Sequence, residues 1–271
     1  MKTVLAELPQ AEVIDFQELA QSYLSGATDL IVVLGPTASG KTKYAVRLAG
    51  ELEKICVRRC EILSADSRQV YRGMDIGTGK DLVEYGDVPY HLIDIRPAGD
   101  RYNVYEFQRD FIAAYQDILS RGAVPILCGG TGLYINAVTS GYDFSEKKPL
   151  SSEGESFSEA RPEGLPQHPY FIGTLVTREV RNARIDARLD ARIEEGMVDE
   201  IRGLLDSGVP AETLISYGLE YKFVTRYVLG EISLDEMRTQ LATAIHQFAK
   251  RQMTWFRGME RGGCRIHWVE V

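Results

Sequence analysis

The sequence predicts an α/β fold, a parallel sheet flanked by helices with a helical C-terminal part, and three observations predict it. Short apolar runs alternate with stretches of helical period from Asp29 onward. A glycine-rich turn of fixed spacing joins the first of those runs to the first helical stretch. The 271 residues, 44% hydrophobic, suffice for one large α/β core and a smaller appendage.

Residues 1–28 are mildly acidic and hold one amphipathic helix, Phe16 to Leu24, which reads as a peripheral cover. Leu30 to Leu34 is a short, wholly apolar run of the kind a buried parallel strand needs. The expected order is then helix Lys43–Leu52, strand Glu61–Leu63, strand His91–Ile95, helix Phe107–Leu119 and strand Val124–Leu127. Alternation of this kind predicts parallel pairing with helical crossovers. Phe171–Val176 adds a further buried strand. Arg184 to Leu205 reads as one long helix, because Ile185, Leu189, Ile193, Met197 and Ile201 recur every four residues and make a core-facing stripe. Ser145 to Gln167 is rich in Ser, Glu, Gly, Lys and Pro and nearly devoid of apolar residues, the composition of a linker. The expected division is an N-terminal extension (1–28), an α/β core (29–144), a linker (145–168) and a C-terminal part (169–271) that completes the core and ends in a basic helical segment.

A formal charge of −8 argues against a protein coated in basic surface, so any nucleic-acid contact must come from local clusters. The four cysteines, Cys56, Cys60, Cys128 and Cys264, show no C-x-x-C spacing and suit a reducing compartment better than a zinc or disulfide framework. No run approaches the ~20 apolar residues of a membrane span. The N-terminus lacks the order of a signal peptide. A cytoplasmic monomer away from the membrane is the expectation.

Three motifs carry the chemistry. Gly35-Pro36-Thr37-Ala38-Ser39-Gly40-Lys41-Thr42 matches G-x-x-x-x-G-K-[ST] without substitution and sits between strand and helix, which makes the core P-loop NTPase-like. The N–H groups of such a loop converge on a di- or triphosphate, Lys41 adds a compact charge, and Thr42 offers a hydroxyl to Mg²⁺. Asp66, in Ser64-Ala65-Asp66-Ser67-Arg68-Gln69-Val70-Tyr71, lies just past a strand, where ligands of open α/β sheets bind. It can ligate Mg²⁺ through water, accept a proton, or merely cap a turn, and Ser67, Arg68 and Gln69 beside it can read a base edge or a sugar. Cys128-Gly129-Gly130-Thr131-Gly132-Leu133-Tyr134 follows another strand. Its glycines admit close backbone approach, and Thr131 can donate to a phosphate oxygen or leaving group.

Gly35 to Thr42, Ser64 to Lys80 (SADSRQVYRGMDIGTGK), His91-Leu92-Ile93-Asp94, Gly129 to Tyr134 (GGTGLY) and Ala249 to Arg257 (AKRQMTWFR) together closely resemble the motifs of tRNA dimethylallyltransferases. The resemblance implies that the phosphate loop binds dimethylallyl diphosphate rather than ATP. It also implies that the prenyl group passes to N6 of an adenine next to the anticodon. Asp66 is then the base for the N6 proton. The departing pyrophosphate is met by the loop N–H groups, Lys41, Thr131 and a Mg²⁺ near Thr42. Arg184 and Arg188, one helical turn apart, can add a guanidinium to the diphosphate, and surface ion pairing explains such arginines equally well.

From His246 to Arg265 five basic residues, Lys250, Arg251, Arg257, Arg261 and Arg265, stand against Glu260 alone. This patch suits RNA phosphates, and Gln247, Lys250, Arg251 and Gln252 fall on a segment that contacts tRNA in the resembled family. His246 stands where that family usually has arginine. The family also carries a helical tRNA-gripping insertion between the GGTGLY region and the strand at Phe171, an interval that Ser145–Gln167 alone fills here. In this the chain approaches the adenylate isopentenyltransferases, which prenylate free adenine nucleotides. Transfer to tRNA is the preferred expectation and transfer to AMP, ADP or ATP the alternative. A kinase or NTPase with Asp94 as its Mg²⁺ carboxylate, or an inert RNA-binding relic, explains fewer of the motifs.

Overall fold

The computed structural model describes residues 9–141 and 162–271, so most of the expected linker lies outside the described residues. Helix α1 (Phe16–Leu24), capped by the Asp15 carboxylate on the N–H groups of Gln17 and Glu18, leads to strand β1 (Leu30–Leu34). There follow α2 (Lys41–Cys56), β2 (Cys60–Ser64), β3 (Tyr71–Arg72), a 3₁₀ turn at Leu82–Tyr85, β4 (Tyr90–His91) and β5 (Arg96–Pro97). Helix α3 (Val104–Ser120) starts at a capping box in which Asn103 and Glu106 satisfy each other's backbone N–H groups. Then come β6 (Val124–Gly129) and the short α4 (Gly132–Asn136).

Beyond the undescribed segment, β7 (Pro169–Leu175) re-enters the sheet. Helices α5 (Arg178–Glu194), α6 (Met197–Asp206), α7 (Ala211–Tyr217), α8 (Leu219–Val228) and α9 (Leu234–Arg261) precede β8 (Ile266–Glu270). The single helix expected over Arg184–Leu205 is two. Gly196, at φ 105, turns the chain between α5 and α6 while the apolar stripe continues across the break, so periodicity alone could not reveal it. The strand expected at His91–Ile95 shrinks to Tyr90–His91, because Leu92 (φ 65) and Asp94 (φ 56) leave the extended region.

The main sheet has the order β4-β2-β6-β1-β7-β8, and every neighbouring pair is parallel. Alternate residues of β1 face opposite layers. Ile31 and Val33 pack with Tyr44, Leu48 and Leu52 of α2, whereas Leu30, Val32 and Leu34 pack with Phe107, Phe111 and Phe256 of α3 and α9. A third cluster joins α5 to α9 through Leu189, Ile201, Tyr221, Val224 and Leu241, and builds the C-terminal helical part against the sheet's carboxyl end. Val269 of β8 is buried in the α2 layer, so this last strand is integral to the core.

The strand register sets the site. Leu34 pairs with Gly129 and Cys128 with Ser64, so β1, β6 and β2 end at the same height. The three segments singled out by their motifs therefore leave adjacent strands side by side, at the edge where open parallel sheets bind ligands.

Candidate active site

The phosphate loop leaves β1 and turns into α2 at Gly40, with no side chain capping the helix. Its first-turn N–H groups are thus left for an anion. Ala38 holds φ 60, a left-handed conformation that a non-glycine residue adopts only under constraint from its surroundings. Ser39 is fully buried and its Oγ lies 2.6 Å from Thr174 Oγ1 of β7, so it braces the loop from beneath. Lys41 and Thr42 line a cavity of about 630 Å³ in front of the loop. Burial pushes the Lys41 ammonium below its ordinary value, a pull that Asp66 partly opposes. The Thr42 hydroxyl meets the buried Cys128 sulfur, and burial pushes that thiol up to about 12, which keeps it protonated.

Asp66 forms the facing wall. One of its carboxylate oxygens accepts the Arg68 N–H at 3.0 Å, so it does close a turn, and the half-buried carboxylate still lines the cavity. The Ala65 carbonyl accepts the Thr131 N–H at 3.1 Å, and Thr131 Oγ1 accepts the Ser67 N–H at 3.1 Å. The segments after β2 and β6 are therefore laced together, with Thr131 also lining the cavity. A Cβ on Gly129 would lie 2.3 Å from the Ala65 carbonyl oxygen, which is the close approach that its glycine permits. Gln69 is half-buried and its amide is committed internally, accepting from Ser64 Oγ at 2.9 Å and donating to the Gly79 carbonyl at 3.3 Å. It shapes the wall, and the amide expected to read a base is already engaged.

Arg184 and Arg188 reach the cavity from α5, Arg184 at an exposed rim and Arg188 deeper, where it bonds the Gly79 carbonyl and the Asp81 carboxylate. Gln247, Lys250 and Arg251 remain exposed on α9, with the Arg251 guanidinium 5.9 Å from the Phe248 ring centroid. Gln252 departs from its expected RNA contact. It is 8% exposed, its Oε1 accepts the Thr37 N–H at 2.8 Å, and its Nε2 donates to the Gly130 carbonyl at 2.9 Å. One amide thereby ties the phosphate loop to the glycine turn. His246, where the resembled family has arginine, sits 2.9 Å from Asp186.

Asp94 does not serve the kinase reading. Its carboxylate is taken by Lys80, whose buried ammonium also holds Asp75 at 2.6 Å and the Tyr71 carbonyl at 2.7 Å. Two further residues of the site stand outside the sequence motifs. Glu200 of α6 accepts three consecutive N–H groups, from Asp75, Ile76 and Gly77 at 2.7, 2.7 and 3.0 Å, and the Tyr221 hydroxyl at 2.7 Å, which pins the loop that forms the cavity's side. Arg192 also lines the cavity, and the four-residue step from Arg184 through Arg188 is the pattern that could have pointed to it.

The loops on adjacent strand ends, the braced phosphate loop and the facing carboxylate thus border one cavity. The IPP transferase family model matches residues 69–154 and 146–259. "tRNA dimethylallyltransferase 2" of Porphyromonas gingivalis is 49% identical over 89% of this chain and 94% of its own length. "tRNA dimethylallyltransferase 1" of Parabacteroides distasonis is 46% identical over 90% and 92%. Among solved structures, the tRNA isopentenylpyrophosphate transferase of Bacillus halodurans superposes with a TM-score of 0.75 at 32% identity, covering 90% of each chain. A tRNA isopentenylpyrophosphate transferase of Staphylococcus epidermidis does so with 0.72 at 27% identity, covering 89% of this chain and 92% of that one. With identities at this level over nine-tenths of its length, and with the family's match running from Gln69 through the turn after β6 to α9, the chain belongs to the IPP transferase family.

Proposed function

We propose that this chain transfers the dimethylallyl group of dimethylallyl diphosphate to N6 of an adenine beside the tRNA anticodon, releasing pyrophosphate. The observation that carries the reading is the convergence of the phosphate loop, Asp66 and Thr131 on one cavity. The diphosphate lies on the loop N–H groups and Lys41, with Arg184 and Arg188 closing on it from α5. The adenine enters from the Asp66 side. As N6 bonds to the allylic carbon, the carbon–oxygen bond to the diphosphate breaks. Asp66 takes the N6 proton, while Lys41, the loop N–H groups and Thr131 meet the charge growing on the leaving group. Relatives at 49% and 46% identity, named as tRNA dimethylallyltransferases, support dimethylallyl transfer to tRNA.

Among the described residues no three His, Cys, Asp or Glu side chains converge as a metal cage. The donors that line the cavity, the Thr42 hydroxyl with Asp66 and Glu84, are hard oxygens, which suits Mg²⁺ held mainly by a diphosphate's own oxygens. Thr42 would hold the ion, which would supply charge neutralisation to the diphosphate when bound.

Purified protein given labelled dimethylallyl diphosphate and either unmodified tRNA or AMP tests the proposal. Label should pass to tRNA. Transfer to AMP alone would replace the acceptor with a free nucleotide. The shortened interval is what makes that arm necessary. The P. gingivalis relative aligns over 289 positions, of which 89% of 271 residues, or about 241, belong to this chain, so about 48 positions have no counterpart here. The two pieces of the family match meet at residues 146–154. Both facts support a tRNA grip reduced at that interval.

The exposed face of α9 must then carry more of the RNA contact. Binding of tRNA is expected to weaken steeply with salt, and Lys250→Ala with Arg251→Ala should flatten the slope of log K against log salt by about two phosphate contacts, each contributing roughly 0.9 or less. Filter binding across a salt series measures this, and an unchanged slope would remove both residues from the RNA face. Gln252→Leu keeps volume but leaves the Thr37 N–H without its acceptor, so transfer should fall about 10-fold through a higher donor KM, with tRNA affinity unaltered. Loss of tRNA affinity alone in that variant would return Gln252 to the RNA contacts.

A further inference from the structure

We propose that Arg192 is a third arginine of the diphosphate site, and that Asp81 occupies the Arg188 and Arg192 guanidinium groups until the donor replaces it. The inference rests on the diphosphate reading above and adds to it a residue that no motif assigns.

Arg192 lies one turn beyond Arg188 on the same face of α5 and lines the main cavity. A small cleft continues from that cavity, with Thr37 and Ala38 of the phosphate loop on one side and Arg188 and Arg192 on the other. Both guanidinium groups press on Gly79, where a Cβ would stand 1.5 Å from Arg192 Nη2 and 2.6 Å from Arg188 Nη2. Any side chain at position 79 would displace them, so the loop carrying Gly79 is shaped around the pair.

The charge of Arg192 is poorly answered by the protein. Its side chain is 11% exposed, and Nη2 is buried without a hydrogen-bond acceptor among the described residues. Burial lowers its pKa, with Arg188 adding to the effect. Glu220, lining the same cleft, attracts it without an ion-pair contact, and the one carboxylate within ion-pair reach among the described residues, Asp81, stands 3.7 Å away and is already bonded to Arg188. Asp81 is itself half-exposed and holds φ 42, so the carboxylate that both guanidinium groups contact is strained and partly solvated. Buried charge in this condition calls for a better anion. Seven cationic side chains and four acidic ones line the cavity, an excess that a diphosphate complements. A diphosphate on the loop brings several oxygens to the cleft shared by Thr37, Ala38, Arg188 and Arg192. It can accept from Nη2 and release Asp81 to solvent.

Pyrophosphate binding to the full chain, measured by titration calorimetry with Mg²⁺ present, tests both parts. Arg192→Met, which keeps the stem and removes the charge, should weaken pyrophosphate about 10-fold or more. Arg192→Gln should do the same if the Met variant fails to fold. Asp81→Asn removes the competing carboxylate and should tighten pyrophosphate several-fold, while tRNA affinity stays at the parent level in each variant. Parent-like pyrophosphate affinity in folded Arg192→Met or Arg192→Gln would overturn the assignment, whatever happens to thermal stability. Weaker binding by Asp81→Asn would overturn the exchange. A parent that binds no pyrophosphate would instead overturn the diphosphate reading itself, a result separable from either.

Discussion

Replacing Asp66 by Asn should reduce prenyl transfer by at least ~100-fold, the scale of a lost general base, while leaving pyrophosphate affinity nearly unchanged. The asparagine oxygen can still accept the Arg68 N–H that Asp66 accepts at 3.0 Å, so the turn after β2 is kept and only the proton acceptor is removed. Asp66→Ala loses the turn's hydrogen bond as well and should be at least as slow. Single-turnover transfer, with pyrophosphate titration in parallel, separates the two effects. An Asn variant with near-parent turnover at pH 7 would exclude Asp66 as the base. One that failed to bind pyrophosphate would place the residue on the donor instead.

Lys41→Ala should lower transfer by roughly 10²–10³-fold, as expected for loss of a preorganised charge on the leaving group. Unlike the Asp66 variants, it should also weaken donor binding, because the ammonium meets the diphosphate before as well as during the reaction. Burial holds this lysine's pKa below its ordinary 10.5 in the free site. A bound polyanion favours the charged form, so the contribution of Lys41 to pyrophosphate affinity is fully present below its free-site pKa. That contribution begins to fall as pH rises past that value and is lost as pH rises through the higher pKa of the complex. The gap in pyrophosphate affinity between the parent and Lys41→Ala should therefore narrow at a pH lower than an ordinary lysine would require. A gap constant up to the ordinary lysine range would mean that Lys41 is not strained by burial. Unchanged donor affinity in the variant would mean that the loop holds some other ligand.

Both residues are legible in the sequence because their chemistry is local. A phosphate loop needs its glycines, lysine and hydroxyl at fixed spacing, and a strand-end Asp announces itself by following an apolar run. Gln252 stands out in the sequence too, but for the wrong partner. Its neighbours Lys250 and Arg251 are exposed, yet a step of one or two positions along a helix turns through 100° or 200°, and so puts Gln252 on the buried face. Glu200 gives no sign at all. Its partners are backbone N–H groups of a loop 123 to 125 residues earlier, and a helical glutamate is ordinary on a solvated surface.

The α/β class, the strand–loop–helix around Lys41, the loops after β2 and β6, and the basic character of α9 are all readable along the chain. All of these follow from patterns within about twenty residues of each other. Tertiary structure decided the rest. It ended β1, β6 and β2 at one height and split the Arg184–Leu205 stripe at Gly196. It also brought β8 to the sheet edge and turned Arg192 into the cavity. The physical reason is that strand register, helix breaks and the pairing of buried charges are settled by contacts between segments far apart in the chain. A periodic stripe reads the same whether one helix or two carries it.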